Sequence, residues 1–344
     1  MSVRDAVSSP EVATAGPVPG SGRSRRRREL SPRVRIALLS IAVLVAMACF
    51  LLLFVRGSFD FAFPRRATML GAMVVAAFAQ GVGTVVFHTV TQNRILTPSI
   101  MGFDAMYVLM QTLLVAAFGG SVLARTDGTA KLLVQTALMV AVATILYRWL
   151  FSGKFGSLYL LLLVGVVIGM AFDSLSTFVQ RLLDPTDYDM LSVRLFGRLS
   201  TVDATHLPLA FAVCVAVAVI FWRRRHTLDA LLLGRQMATS IGINHKRELT
   251  LMLVLIALLV AFSTALVGPM TFYGFLVATI AYQVAGSYRH EHVMPVAFLL
   301  GLLTLVGGQF VMQHIFYAGG FLTVVIEFVG GLLFLYLLLR KGKL

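Results

Sequence analysis

Long apolar runs follow one another along most of this chain, and they constrain its fold more than any other feature. About 20 apolar residues are needed to cross the hydrocarbon core of a bilayer as a helix. Inside that core the chain must satisfy its own backbone N–H and C=O groups, which favours helices. The pattern predicts an all-α, polytopic integral membrane protein. The ten predicted spans cover residues 34–55, 67–87, 100–120, 130–150, 156–172, 206–222, 248–267, 274–286, 293–311 and 322–339.

The composition excludes two other broad classes of protein. Hydrophobic residues make up 58% of the chain and charged residues 13%, which is too apolar for a soluble globular or a disordered protein. The formal net charge of +14 could indicate a nucleic-acid partner. However, the chain does not interleave aromatic and basic residues as nucleic-acid sites do. We therefore predict contact with membrane lipid and no nucleic-acid partner.

The Lys and Arg residues between the spans set the predicted orientation, because cytoplasmic loops carry an excess of these residues. With the N-terminus in the cytoplasm, 21 of the 29 Lys and Arg residues fall in cytoplasmic segments. An even number of spans then places the C-terminus in the cytoplasm as well. We predict a disordered basic tail over 1–32, a transmembrane domain over 33–344 and an extracytoplasmic surface segment over 173–205.

The stretch QNRILTPSIMGFDAMY, residues 92–107, is polar and broken at the start of the third predicted span. Irregular backbone persists at membrane depth only where protein or a water-filled path satisfies its polar groups. A span interrupted in this way is typical of a protein that surrounds a path for a solute. The candidate pathway residues are Asn93, Pro98, Gly102 and Asp104. Because Asp104 lies in the first turn of the span, the alternative is that it caps the helix N-terminus.

A second break comes before the short eighth span, within residues 266–292. Gly268, Pro269 and Gly274 interrupt the helix there, which indicates either an element that lines a cavity or an ordinary turn between helices. Glu327 lies in the middle of the tenth span, where a charge is costly unless it faces the interior of the bundle. Two roles stay open for this carboxyl group, a contact between subunits and the lining of a cavity.

The predicted cytoplasmic segment between the sixth and seventh spans contains a short amphipathic helix over 231–244. Gly242 and Asn244 are residues that commonly end a helix. An apolar face on a cytoplasmic loop needs a partner, and the residues alone divide evenly between the protein's own membrane and another protein. The apolar side of this helix consists of Leu232, Met237 and Ile241.

The chain carries no recognisable catalytic motif. It lacks the G-x-x-x-x-G-K-[ST] phosphate loop, the H-E-x-x-H zinc motif, a C-x-x-C pair and the G-x-S-x-G elbow. Cys49 and Cys214 lie singly within apolar runs, so they indicate neither a disulfide framework nor a metal site. We therefore predict a transport protein rather than an enzyme, with no cofactor or metal bound by this chain. Energy for active transport would come from a partner protein or from an ion gradient.

Four stretches of the sequence resemble one family of transport proteins. They read QNRILTPSIMGFDAMY, LLLGRQMATSIGIN, LVGPMTFYGFLVATIAYQVAGSYRHEHVMP and VGGLLFLYLLLRKGK. They are similar to the iron-chelate and vitamin B12 type permeases of bacterial ABC importers, and the resemblance runs through residues 34–344. Within that family, ILTPSIMGFDAMY looks most like the permeases for ferric catecholate siderophores, such as the vibriobactin, anguibactin and petrobactin systems.

The resemblance implies a multi-pass protein of the bacterial cytoplasmic membrane that works within a larger assembly. A second permease subunit, either a sister chain or a copy of this one, would share one central pathway with it. Two ABC ATPase subunits would bind ATP with Mg²⁺ on the cytoplasmic side and hydrolyse it. An extracytoplasmic binding protein would deliver the ferric siderophore. This chain would then bind no ATP itself.

The resemblance also implies roles for particular residues and a function. It identifies 231–244 as a coupling helix that docks on the ATPase, and it makes Arg65 and Arg66 the residues that meet acidic groups of the binding protein. The implied function is ATP-driven import of a ferric siderophore. The alternatives are a permease for vitamin B12 or haem, and a proton-driven secondary transporter that titrates Asp104 or Glu327. The implied coupling residues are Leu232, Gly234, Arg235, Met237, Ile241 and Gly242.

Overall fold

The computed structural model describes residues 30–54, 58–121, 128–152, 158–195, 199, 202–317 and 322–341. Every regular element among these residues is helical. Most of the predicted basic tail, 1–32, therefore lies outside the described residues. The helices are α1 (Pro32–Leu52), α2 (Phe59–Thr91), α3 (Phe103–Phe118), α4 (Thr129–Ser152), α5 (Leu158–Gln180), α6 (Pro185–Leu195), α7 (Leu207–Arg223), α8 (Arg225–Leu231), α9 (Arg235–Ser240), α10 (His245–Val267), α11 (Tyr273–Val284), α12 (His290–His314) and α13 (Leu322–Lys341).

Ten of these helices are apolar, and they correspond in order to the ten predicted spans. Six contain stretches long and apolar enough to cross a bilayer, namely α1, α2, α5, α7, α10 and α12. Four others, α3, α4, α11 and α13, carry shorter apolar stretches of 10–17 residues. The predicted all-α membrane fold is therefore confirmed. The remaining helices, α6, α8 and α9, are short connections between spans.

The second span differs from its prediction of 67–87 because α2 is much longer. It runs for 33 residues, about 50 Å at the rise of an α-helix, whereas the hydrocarbon core of a bilayer is about 30 Å thick. Its first two turns carry the exposed rings of Phe59, Phe61 and Phe63. Exposed aromatic rings at the end of a span suit the interface between membrane and water. α2 thus extends past the hydrocarbon core.

α2 forms the centre of the helix packing. Most of its side chains are buried, whereas those of α1, α5 and α7 are mostly exposed. A Cβ atom on Gly81 would lie 3.1 Å from the Val277 side chain on α11 and 3.2 Å from the Ala297 carbonyl oxygen on α12. Small residues in α2 therefore let α11 and α12 approach its backbone, as is common between helices in membranes.

The winding of α2 changes at its centre. Residues Ala77–Val82 form a π-helical segment between two α-helical parts, Phe59–Ala76 and Gly83–Thr91. Such segments are rare and are frequently found at functional sites. All nine residues of the part that follows, Gly83–Thr91, are buried. This buried part leads directly into residues 92–107, the first of the two breaks that the sequence predicts.

Candidate functional site

Side chains support the irregular backbone between α2 and α3. α2 ends where Gln92 adopts a left-handed conformation with a φ of 49°. The Asn93 Oδ1 then accepts a hydrogen bond from the Ile95 N–H at 2.9 Å. Further along, the Thr97 Oγ1 accepts one from the Ile100 N–H at 3.3 Å. The protein itself therefore satisfies polar backbone groups in this stretch, as lipid cannot.

Gly102 connects the 3₁₀ turn Ser99–Met101, which follows Pro98, to the first turn of α3. Its φ of 98° lies in the left-handed region that favours glycine. A Cβ atom at this position would lie 2.9 Å from the Cα of Gly169 on α5. The backbone conformation and the close approach of α5 therefore both require glycine at this position. At its start, α3 packs with its backbone close to the backbone of α5.

Asp104 joins the two breaks that the sequence predicts. Its side chain is buried, and its Oδ2 accepts a hydrogen bond from the Thr271 hydroxyl at 3.0 Å. Thr271 lies in the irregular stretch after Pro269, between α10 and α11. Among the described residues, the second carboxyl oxygen, Oδ1, has no hydrogen-bond partner. Asp104 therefore links α3 to the second break and leaves one oxygen available to a water molecule or a solute.

A cavity of about 610 Å³ lies beside this link. Its walls come from α3, α5, α13 and the two breaks. Three carboxyl groups line it, those of Asp104, Asp173 and Glu327. Within the described part of the chain, no three His, Cys, Asp or Glu side chains are close enough to hold a metal ion. A charged group in contact with lipid is costly, so such groups face a water-filled cavity or the interior of the bundle. This cavity gives the three carboxyl groups access to water or to a polar solute.

The structure brings together half of the predicted pathway residues. Gly268 lines a second cavity, of about 480 Å³. Gly274 packs against the Gln80 carbonyl and the Thr84 side chain of α2, so it serves helix packing. Asn93 and Pro98 shape the loop between α2 and α3. The residues that line the first cavity are Gly102, Asp104, Pro269 and Glu327.

Asp173 was not predicted as a cavity residue, because it was expected at the start of the surface segment 173–205. α5 continues past this residue, so Asp173 still belongs to the helix that walls the cavity. Gly165, Gly169 and Asp173 are spaced by four, which puts them on one face of the helix. The two glycines pack against the first break. A row of small residues that ends in a carboxyl group is the sequence signal that could have located it.

The loop between α7 and α10 forms two short helices, α8 and α9, instead of the single helix predicted over 231–244. Gly234 lies between them, and its φ of 91° interrupts the helix. After α9, Gly242 adopts a φ of 84° and the Ile243 N–H donates to the Ala238 carbonyl at 3.0 Å. This is a glycine C-cap. Gly242 thus ends the helix, but the predicted bounds 231–244 are too wide. α9 spans only Arg235–Ser240, because Gly234 interrupts the helix before it and Asn244 caps the start of α10.

The apolar side chains of residues 232–241, which we call the cytoplasmic segment, point away from the rest of the chain. Met237 and Ile241 are each 62% exposed, and Leu232 is exposed as well. Ala238, also on α9, is fully buried. Apolar side chains exposed next to one another and flanked by polar residues mark an interaction surface.

The two arginines predicted to meet a binding protein have different surroundings. Arg65 is exposed, whereas Arg66 is only 6% exposed. The Arg66 guanidinium donates hydrogen bonds to the carbonyl oxygens of Phe50, Leu53 and Phe54 at 2.8, 2.7 and 3.0 Å. These carbonyls end α1, where a cation is favourable. This corrects the prediction for Arg66, which caps α1, and leaves Arg65 as the accessible one of the pair.

Replacing Arg66 with alanine should destabilise the protein by about 2 kcal/mol, because carbonyl groups that bond a charge lose their partner. Thermal unfolding of the purified protein in nanodiscs measures this effect. Arg65→Ala is the matched control, since it removes the same charge one residue earlier without a buried hydrogen bond. Equal stability losses in the two variants would contradict the capping role.

Comparison with known proteins places the chain among transport proteins. Residues 37–340 match the FecCD transport family. The petrobactin import system permease protein FatC of Bacillus anthracis is 43% identical over 280 residues, which cover 81% of this chain and 79% of the relative. The petrobactin import system permease protein YclO of Bacillus subtilis (strain 168) is 36% identical over 311 residues, covering 90% and 98%.

A solved structure shares the fold. An inward-facing ABC transporter of the metal-chelate type superposes with a TM-score of 0.74 at 20% sequence identity, covering 90% of this chain and all of the other. At that identity the likeness concerns the fold alone. The family match, in contrast, spans most of the transmembrane domain. The chain therefore belongs to the FecCD transport family and is a multi-pass membrane permease of an ABC importer.

Proposed function

We propose that this permease imports a ferric siderophore, of the catecholate type, across the bacterial cytoplasmic membrane. The observation that carries the proposal is the identity of 43% and 36% to two petrobactin import permeases over most of the chain. The cavity of about 610 Å³ supports it, since both broken stretches contribute to its walls. Irregular backbone that surrounds a cavity within the membrane is typical of a transport path.

The proposed importer requires subunits that this chain does not supply. ABC ATPase subunits would bind ATP and Mg²⁺ and perform the hydrolysis, while this chain would bind no cofactor. An extracytoplasmic siderophore-binding protein would deliver the cargo, and Arg65 is the accessible residue proposed to meet it. The second permease would be a sister chain. In support, two different petrobactin import permeases of Bacillus anthracis, FatC and FatD, are 43% and 23% identical to this chain.

The cytoplasmic segment is the proposed docking site for an ATPase. Membrane-bound amphipathic helices often run for 20–30 residues, whereas α9 has six. So short a helix buries little apolar surface in a bilayer, but Met237 and Ile241 can fill a groove on a protein partner. Of the two partners that the sequence leaves open, this length favours a protein.

The second permease is proposed to pack beside the cavity. Exposed apolar side chains flank it on two helices, with Val167 and Met170 on α5 and Phe328 and Leu332 on α13. Both helices also contribute walls to the cavity. A sister subunit that covers these faces would turn the cavity into part of a shared path, in which Asp104 and the other carboxyl groups meet the cargo.

Uptake of radiolabelled iron tests the proposed function. Iron is supplied as catecholate, citrate and hydroxamate complexes to cells with and without this gene. We expect deletion to abolish uptake of the catecholate complex alone, and an ATPase with an inactivated phosphate loop to have the same effect. Loss on deletion but not on ATPase inactivation would favour a proton-driven transporter. Unchanged uptake of all three complexes would contradict siderophore import and lead to tests of vitamin B12 and haem.

A further inference from the structure

Three side chains from three helices form one hydrogen-bonded chain at the cytoplasmic end of the bundle. They are Asp229 on α8, His290 at the start of α12 and Thr89 on α2. The Asp229 Oδ1 lies 2.6 Å from the His290 Nδ1, and the His290 Nε2 lies 2.7 Å from the Thr89 Oγ1. His290 is 2% exposed and Thr89 is 1% exposed. The chain is therefore buried at His290 and Thr89, is partly exposed at Asp229, and connects elements that are distant in sequence.

The ionised carboxyl group of Asp229 sets the direction of its hydrogen bond with the His290 ring. Burial raises the pKa of this carboxyl, but hydrogen bonds from His290 and the charges of His290 and Arg289 outweigh burial and hold the pKa below its usual range. A carboxylate can only accept, so the His290 Nδ1 carries the proton that it donates. On the other side of the ring, the Nε2 is hydrogen-bonded to the Thr89 hydroxyl, which also donates to the Val85 carbonyl oxygen at 3.1 Å.

Asp229 also holds the start of α12 in place. Its Oδ1 accepts a hydrogen bond from the His290 backbone N–H at 2.8 Å, one of the N–H groups that lack a partner within a helix. Negative charge is favourable at this end of a helix. A parallel link runs from the Gln92 Nε2, just past Thr89, to the Leu231 carbonyl oxygen at 3.0 Å. α8 is thus hydrogen-bonded to the cytoplasmic ends of both α2 and α12.

The position of this connection suggests its role, which rests on the proposed docking of an ATPase. α8 stands directly before the cytoplasmic segment, while α2 is the central buried helix and α12 packs beside it. We infer that the Thr89–His290–Asp229 chain is the joint that carries movement of the cytoplasmic segment into α2 and α12. Thr89 lies in Gly83–Thr91, next to the π-helical segment Ala77–Val82. Movement would therefore enter α2 near its cytoplasmic end, in the buried part that follows the π-helical segment.

The chain offers a closely matched control for Thr89. Thr91 is buried on the same helix, and its hydroxyl lies 2.7 Å from the Phe87 carbonyl oxygen one turn earlier. The Thr89 hydroxyl likewise lies 3.1 Å from the Val85 carbonyl oxygen, one turn before it. Of the two threonines, only Thr89 is hydrogen-bonded to His290. Replacing threonine with valine keeps the shape and removes the hydroxyl. His292, on the same helix as His290, is the corresponding control for the ring.

The experiment uses the complete importer, with its ATPase and binding protein, in proteoliposomes supplied with a ferric catecholate siderophore. It measures the chelate imported per ATP hydrolysed and the amount of ATPase that stays bound. We expect Thr89→Val and His290→Gln each to lower import per ATP about three- to tenfold, the range that corresponds to one hydrogen bond. ATPase binding and the amount of folded protein should not change. Thr91→Val and His292→Gln should keep the parent ratio.

Import per ATP that stays at the parent value in both Thr89→Val and His290→Gln would overturn the inference. A second outcome would also overturn it. If the variants lost folded protein or bound ATPase, but the complexes that remained imported as much chelate per ATP as the parent, the connection would support structure alone. A parent importer that binds no ATPase or imports no chelate would overturn the proposed function and the inference with it. That failure is visible before any variant is made.

Discussion

Replacing Gly102 with alanine should lower the free energy of unfolding of the permease by about 2–5 kcal/mol. A left-handed conformation costs a residue with a Cβ atom about 1–2 kcal/mol, and Gly102 has a φ of 98°. Forcing an extra methyl group into a packed contact costs about 1–3 kcal/mol more. Here the methyl would meet the Cα of Gly169 at 2.9 Å, and a backbone atom cannot turn away as a flexible side chain can.

Three other glycines separate the two contributions. Gly119→Ala tests the backbone alone, because its φ is 77° and nothing lies within 4 Å of its Cβ position. Gly169→Ala tests the contact alone, since this glycine is helical and its Cβ atom would lie 2.9 Å from the Cα of Gly102. Gly83→Ala has neither problem and should be neutral or slightly stabilising. Unfolding in nanodiscs ranks the four variants, and a loss for Gly102→Ala no larger than that for Gly169→Ala would contradict the backbone contribution.

The same substitution should reduce siderophore uptake, because Gly102 positions the cavity wall. Asp104 follows two residues later and bonds to Thr271 across the second break. If α3 moves away from α5, the distance between these groups changes and so does the shape of the cavity that they line. Gly119 lies at the far end of α3 and is not among the residues that line this cavity. Gly119→Ala should therefore lose stability but keep more of its uptake.

The fold was largely predictable from the sequence because helices in a membrane are encoded locally. Runs of apolar residues identify the spans, and the described part of the chain contains ten apolar helices. Their ends were harder to place. Residues 59–66 are polar and aromatic, so hydropathy did not include them in the second span, although they continue α2. Gly234 was read as part of a helix because composition does not reveal a left-handed backbone at a particular glycine.

The site was less predictable because its contacts are long-range. Arg66 looks like any basic residue next to a span until the carbonyl groups at the end of α1 are placed beside it. Asp229 and His290 have no motif in common and are 61 residues apart. In contrast, proline and glycine within a span directly predict irregular backbone, and both breaks are present. Single residues that break helices were therefore informative, whereas pairs that depend on tertiary packing were not.

The largest effect on uptake is expected from the cytoplasmic segment. Replacing both Met237 and Ile241 with aspartate should abolish uptake of the ferric siderophore and binding of the ATPase. Both side chains are 62% exposed, so the permease itself should fold normally. Hot-spot residues at the centre of an interface contribute about 2 kcal/mol or more each, and Met237 and Ile241 are expected to act as such. Their joint loss would weaken docking about a thousandfold, before the cost of bringing two carboxylates into an apolar groove.

Gln236→Asp is the control, because it adds a negative charge to an exposed position of the same short helix without removing an apolar side chain. Co-purification of the ATPase with each variant gives docking directly, and uptake is measured in the same strains. Loss of both in the double variant alone supports a groove on the ATPase that takes the two side chains. Full ATPase binding in the double variant would contradict docking through Met237 and Ile241. In that case Met237 and Ile241 would have to face lipid, which is the other partner that the sequence allows. Movement of the ATPase would then reach α8 through a different surface of the permease.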